Sequence, residues 1–311
     1  MRNHIFPSGI SPILPLALGT ASYGSSIPEK DAFTMLDLFY AKGGRIIDTA
    51  HAYAYWVPNG AGASEKTIGV WVEKNKLRKE IHIVTKGGNI ILGLDRSRIT
   101  VNDIRSDLNE SLSRLRVDEL DVFFLHRDDP LRPPEALIEI LNTAVEGFSI
   151  KVLGCSNWRA ERIRKANNYA LKHKLRPFGI SQIGYSCAAI NSEAVSDKTS
   201  VYMDSSEYDF YSESNFPLIA YNAQASGFFS LYEKHLAGTA DTEKIKSLFP
   251  LYDNEKNRMC FTDLKKTADT RNISLTAASV EMLVEKSPFP VFPVIGPRNM
   301  AQLKDSLDSL F

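Results

Sequence analysis

"DVFFLH", residues 121–126, is an apolar run entered through an aspartate and left through a histidine. Unbroken apolar character over so short a span marks a strand covered on both faces, because a strand with one wet face alternates. Just upstream, residues 101–116 set Ile104, Leu108, Leu112 and Leu115 on one stripe, with Thr100 and Asp103 spaced as a capping box at its start. Amphipathic helices alternating with doubly buried strands predict a parallel sheet, whose crossovers lay helices over it.

The same alternation continues in both directions. Further β-rich runs are "LPLALGT" (14–20), "RIIDTA" (45–50), "IHIVTK" (81–86), "KVLGCSN" (151–157), "GISQIG" (179–184), "PLIAYNA" (217–223) and "VFPVIG" (291–296). Helical spacing recurs over 65–77, where Ser64 is a candidate N-cap and Ile68, Trp71 and Val72 share a face, and over 135–147 and 159–172. It returns in "NMAQLKDSLDSL" with Met300, Leu303, Leu307 and Leu310. Eight strand–helix units predict an α/β protein closed into a (β/α)8 TIM barrel. The competing architecture is a doubly wound open sheet, but no G-x-G-x-x-G follows the first strand. Longer connections at 53–64, 86–99 and 186–216, and an irregular stretch over 224–262, read as elaborated loops of a single domain spanning 1–311.

Hydrophobic residues make up 43% of the 311 and charged residues 24%, with 37 basic against 37 acidic side chains. That balance leaves no strong field for nucleic acid or an anionic membrane surface. Eighteen consecutive apolar residues occur nowhere, so no bilayer span is expected. Pro7, Pro12 and Pro15 break the apolar character of the N-terminus, which reads as mature sequence. Cys155, Cys187 and Cys260 are odd in number and widely spaced, which predicts a reducing, cytoplasmic setting with neither a disulfide framework nor a zinc site.

Active sites of such barrels are built at and beyond the C-terminal strand ends. There stand Asp48 with Tyr53 just after it, Lys86, His126, Ser156 and Asn157, Gln182, Tyr221, and the run "GPRN". A phenol alone titrates too high for efficient proton transfer at neutral pH, but an ammonium beside it favours phenolate, and an aspartate holds that ammonium in place. A neutral histidine orients a carbonyl by hydrogen bonding. The set suits protonating a carbonyl oxygen while hydride reaches its carbon. Other readings of single members stay open: His126 with Asp128 and Asp129 as metal ligands, Lys86 as a Schiff-base lysine, and His51 as a loop hydrogen-bonder.

Nine segments in register, "LALGT", "IIDTAHAY", "SEKTIG", "IVTKGG", "SLSRLRVDELDVFFLHRDDP", "LGCSNW", "SQIGYS", "IAYNAQASG" and "VIGPRNMAQLKDSL", resemble the aldo-keto reductase family. The resemblance implies a (β/α)8 barrel using a nicotinamide cofactor, with Tyr53 as general acid beside Asp48, Lys86 and His126. It implies that Ser156, Asn157 and Gln182 hold the nicotinamide carboxamide and that Tyr221 stacks on the ring. Ser226, Gly227 and Phe228 then wrap the pyrophosphate, and Gly19 and Thr20 lie near the cofactor. Gly296 and Arg298 fall at a 2′-phosphate, with Gln302, Asp305 and Ser306 toward adenine, so the expected cofactor is NADP(H). This chain departs from the family at Ser306, where asparagine is common, and in "NAQASG", which lacks the usual proline and leucine.

Tyr23, Tyr55 and Trp56 are candidate substrate contacts, and aromatic walls suit an apolar or aromatic carbonyl compound or alcohol. The expected activity is reversible, NADPH-dependent reduction of aldehydes or ketones to alcohols. The alternative is a non-catalytic NADP(H)-binding subunit that senses redox state or binds a partner on the same fold.

Overall fold

The computed structural model describes residues 6–9, 14–89, 97–239 and 242–307. Eight parallel strands pair in sequence order and close, β8 returning to β1, into a (β/α)8 TIM barrel. The first half runs β1 (Ala17–Gly19), α1 (Glu29–Ala41), β2 (Ile46–Asp48), α2 (Ala63–Asn75), β3 (His82–Gly87), α3 (Val101–Leu115) and β4 (Glu119–Leu125). It continues through α4 (Pro134–Val145), β5 (Ser149–Ser156), α5 (Ala160–Lys172), β6 (Phe178–Gly184), α6 (Ser205–Ser214) and β7 (Leu218–Tyr221). The last quarter is α7 (Phe228–Leu236), α8 (Thr242–Tyr252), α9 (Glu255–Arg271), α10 (Leu275–Lys286), β8 (Val291–Ile295) and α11 (Met300–Leu307).

The barrel interior is a dry layer of Ala17, Ile46, Val84, Val122, Phe124, Ile180, Ile219 and Phe292. Phe124 fits there because β5 carries Gly154 opposite it; a Cβ on that glycine would stand 2.5 Å from the ring. Phe6 packs edge-on to Phe292 and against His82 in the same cluster. A second, larger core lies between sheet and helices, where the α3 stripe of Ile104, Leu108 and Leu115 is buried as its spacing requires. Thr100 caps α3, its hydroxyl accepting from the Asp103 N–H at 3.1 Å and donating to the Asp103 carboxylate at 2.7 Å.

Three expectations need correcting. Ser64 is not an N-cap: α2 begins at Ala63 from Gly62, which takes a left-handed φ of 71°. The Ser64 hydroxyl instead bridges Thr20 at 2.9 Å and Thr49 at 2.8 Å, fastening α2 to the ends of β1 and β2. The stretch 224–262 is largely helical, forming α7, α8 and the first part of α9 around a third apolar cluster of Phe228, Phe229, Ile245, Tyr252 and Leu264. Within 186–216, α6 occupies the second half. Leu310, and residues 90–96 of the 86–99 connection, lie outside the described residues. Among the described residues, no helix is long and apolar enough to cross a membrane.

Candidate active site

Side chains alternate along a strand, so the residue two positions beyond each interior apolar residue also faces the barrel axis. Ile46 leads to Asp48, Val84 to Lys86, Phe124 to His126 and Ile180 to Gln182. The polar layer at the C-terminal mouth is therefore the next storey of the apolar core.

Its centre is ionic and buried. The Lys86 ammonium donates to both Asp48 carboxylate oxygens at 2.9 Å, to the Thr49 carbonyl at 2.7 Å, and to the Tyr53 hydroxyl at 3.0 Å. Tyr53 in turn donates to Asp48 Oδ2 at 3.2 Å. Burial lowers the Lys86 pKa while Asp48 opposes that shift. The Tyr53 phenol is pushed well above its ordinary value by burial and then by Asp48. This reverses the expected downward pull of Lys86: the ammonium already has Asp48 against it, so its charge is largely balanced before it reaches the phenol. Tyr53 is thus held as a protonated acid at neutral pH.

His126 packs its ring edge-to-face on Tyr53, with centroids 6.0 Å apart. Burial, then the nearby Lys86 and Arg127 cations, drive its pKa well below the ordinary histidine value, so the ring is neutral. Its Nδ1 is buried with no partner among the described residues. Asp128, the candidate co-ligand, is held by Arg162 through bonds of 2.6 and 2.9 Å, and among the described residues no metal-binding cluster occurs.

Beside this layer opens a cavity of about 870 Å³, which runs from Asp48 and Tyr53 past Gly19 and Tyr23 to Tyr221, Ser226 and Gly227. It ends against Gly296, Arg298, Gln302, Asp305 and Ser306. Ala225, Ser226 and Gly227 adopt three successive left-handed conformations, which place the N-terminus of α7 at the cavity. Arg298 is exposed, and Gln302 Oε1 accepts from its backbone N–H at 2.8 Å at the start of α11.

Several candidates stand elsewhere than in the cavity lining. The Gln182 amide donates to Asp48 Oδ1 at 2.8 Å. Asn157 Oδ1 accepts from the Tyr221 hydroxyl at 2.8 Å and from Val201 N–H at 3.1 Å, while its Nδ2 donates to Ser156 Oγ at 3.1 Å. Thr20 donates to the Asp48 carbonyl at 2.8 Å. The Phe228 ring is buried in the third apolar cluster. Ser306, though lining the cavity, accepts from Gln224 at 2.8 Å.

Tyr55 is not part of the cavity wall. Its hydroxyl lies 3.4 Å from both His51 ring nitrogens. His51 itself is buried and bonds Glu110 at 3.0 Å, in a network with Asp107 and Arg114 behind β3. Trp56 is 61% exposed, with its ring edge-on to Tyr53 at 6.5 Å. Among the lining residues missed from sequence, one group comes from α7 and α8: Ser230, Leu231, Lys234, Lys244, Ser247 and Leu248. A signal was available, since Ile245, Leu248, Phe249 and Tyr252 follow helical spacing, but Pro250 interrupts it.

A sequence model described as the aldo/keto reductase family matches residues 15–311. Norsolorinic acid reductase of Emericella nidulans is 28% identical over 312 residues, covering 96% of this chain and 74% of that protein. An aryl-alcohol dehydrogenase of Pestalotiopsis microspora is 28% identical over 317 residues, covering 98% of this chain and 76% of its own. An uncharacterized oxidoreductase of Bacillus subtilis is 26% identical over 306 residues, with 95% of this chain and 86% of that protein covered. With a closed eight-stranded barrel, an Asp48–Lys86–Tyr53 centre at its mouth and a family match over nearly its whole length, the chain is an oxidoreductase of the aldo/keto reductase family.

Proposed function

We propose that the protein is an NADPH-dependent reductase of aldehydes and ketones, reversible as an alcohol dehydrogenase, with Tyr53 as general acid. The observation that carries this reading is a protonated Tyr53 hydroxyl 3.0 Å from the Lys86 ammonium, at one end of a cavity that continues to Arg298. The cavity's extent supports a dinucleotide, and the amide-rich starts of α7 and α11 support its two phosphate positions. Ser226 and Gly227 would hold the pyrophosphate; Gly296 and Arg298 would hold the 2′-phosphate, with Gln302, Asp305 and Ser306 toward the adenine. Tyr221 would face the nicotinamide, which when bound supplies the hydride to the carbonyl carbon.

The chain's own residues do the rest. His126, neutral and beside Tyr53, orients the carbonyl oxygen by hydrogen bonding, and Tyr53 passes its proton to that oxygen. The phenolate left behind faces the Lys86 ammonium, which Asp48 and the Thr49 carbonyl keep in place. In the reverse direction the same phenolate accepts the alcohol proton. Tyr23, which lines the cavity, and Trp56, whose ring lies edge-on to Tyr53 outside that lining, would begin the substrate wall, whereas the Tyr55 hydroxyl faces His51. The names of two relatives, a reductase of norsolorinic acid and an aryl-alcohol dehydrogenase, support aromatic carbonyl compounds as the substrate class. The reading takes the catalyst to be one barrel domain over 1–311, working in a reducing, cytoplasmic compartment, a setting that suits three free cysteines.

Fluorescence titration with NADPH and NADH, followed by stopped-flow mixing of the NADPH complex with aromatic aldehydes, tests this. NADPH oxidation upon mixing is the expected result. Tight NADPH binding with no oxidation by any reactive aldehyde would favour a cofactor-binding subunit instead.

A further inference from the structure

Two of the three cysteines meet away from the catalytic layer. Cys187 lies in the connection after β6, and Cys260 lies on α9. The Cys260 thiol donates to the Cys187 carbonyl oxygen at 3.5 Å.

Surrounding bonds hold this meeting in register. Asn257 precedes Cys260 by one turn on the same helix face. Its Oδ1 accepts from Ala189 N–H at 2.7 Å, and its Nδ2 donates to the Ala189 carbonyl at 2.8 Å. Asn254 donates to that same carbonyl at 3.0 Å, and Asn191 N–H reaches the Leu251 carbonyl at 2.8 Å. The segment 187–191 is therefore laced at backbone level along the junction of α8 and α9. Both cysteines are half-buried, whereas Cys155 is fully buried.

The geometry points to Cys187 and Cys260 as an oxidisable dithiol that peroxide converts into an intramolecular disulfide, stapling α9 to the segment after β6. The two thiols have unequal roles. The neighbouring Cys260, then burial, holds the Cys187 thiol up, while Cys187 lowers that of Cys260. Cys260 therefore supplies the thiolate. It attacks one peroxide oxygen, the O–O bond breaks, water leaves, and Cys260 becomes a sulfenic acid. The Cys187 sulfur then attacks the Cys260 sulfur, the S–O bond breaks, and a second water leaves. The two sulfurs lose two electrons, one peroxide gains them, and both thiol protons end in the waters.

The staple acts on the cavity wall. α8, joined directly to α9, lends Lys244, Ser247 and Leu248 to that wall, and its Tyr252 hydroxyl accepts from cavity-lining Asn222 at 2.6 Å. Restraining this wall slows nucleotide exchange, a consequence that rests on the reading of the cavity as a nucleotide site.

Full-length protein treated with a slight excess of hydrogen peroxide, then alkylated under denaturing conditions and mapped by mass spectrometry, tests the pair. The expected product is a linked peptide containing Cys187 and Cys260, reversed by dithiothreitol, with Cys155 alkylated and Cys260→Ser unable to form it. Sulfinic acid at either cysteine, or a link between two chains in place of the internal one, would overturn the proposal. Stopped-flow NADPH release should slow by roughly tenfold in the oxidised protein and not in peroxide-treated Cys260→Ser. Unchanged release from protein shown to carry the link would overturn the regulatory role. If the reduced protein bound no NADPH, the nucleotide reading would fail with it, while the peptide map would still decide the disulfide.

Discussion

The side-chain amide of Gln182, on β6, donates to Asp48 Oδ1, on β2, at 2.8 Å across the mouth of the barrel. Gln182 thereby helps fix the carboxylate that fixes Lys86. Replacing it with Met should lower kcat by roughly ten- to a hundredfold, the size of one lost hydrogen bond to a charged group, with little change in NADPH affinity. Steady-state kinetics beside a fluorescence titration separate the two. A weakened NADPH Kd at unchanged kcat would return Gln182 to carboxamide binding alone.

Tyr53→Phe removes the hydroxyl proton held beside the Asp48–Lys86 pair, so turnover should fall by about a hundredfold or more while NADPH still binds. Tyr55→Phe should leave both kcat and substrate preference close to wild type, because its hydroxyl faces His51. Its cost should be about 1 kcal/mol of stability, readable as a small drop in Tm. A changed substrate preference in Tyr55→Phe would put that ring back in the cavity wall.

The lowered pKa of His126 makes a statement about pH. Its folded-state value lies below the ordinary one, so the neutral form persists to a more acidic pH than for a free imidazole. The kcat/KM profile should then show no histidine inflection between about pH 6 and 8. An acid limb near the ordinary histidine value, absent from His126→Asn, would refute a neutral ring.

Arg298→Leu should weaken NADPH by about tenfold or more and leave NADH unchanged, since only the former carries a 2′-phosphate for the guanidinium to grip. Equal weakening of both nucleotides would assign Arg298 a structural part in the start of α11.

On the opposite end of the barrel, Asp121 accepts from Arg78, Ile83 N–H and Lys151, each at 2.9 Å. Against the penalty of burial, these partners and His82 bring its pKa from 3.8 down to about 2. A depressed folded-state value stabilises above the unfolded pKa and is lost as pH falls through the folded one. Asp121 should thus contribute about 2 kcal/mol at neutral pH that disappears between roughly pH 4 and 2. Urea melts across that range should show wild type converging on Asp121→Asn; parallel curves would show that the carboxylate contributes nothing by its charge.

Much of this was legible from local pattern. An apolar run with a polar residue at its C-terminal end identifies a barrel strand and its site residue together, because a period of two carries Phe124 and His126 to the same side. Asp48, Lys86 and Gln182 follow by the same rule. The wall over the cavity was less legible. α7, α8 and α9 share one apolar cluster, α9 carries only a weak apolar stripe, and Pro250 in α8 suggests a break that neighbouring packing overrides. Ser64 misled for a related reason: a serine before an apolar stripe fits a cap, but here its hydroxyl is drawn to Thr20 and Thr49.

Near-neighbour periodicity is enough to specify eight strand–helix units of a parallel barrel and the residues at its mouth. What those residues are to one another is set by the packed fold. That Tyr53 holds its proton despite Lys86, that His51 and Tyr55 turn outward to Glu110 and Arg114, and that Cys187 meets Cys260 all depend on burial and on contacts between distant parts of the chain. Charge balance and desolvation act through space, and no spacing along the chain records them.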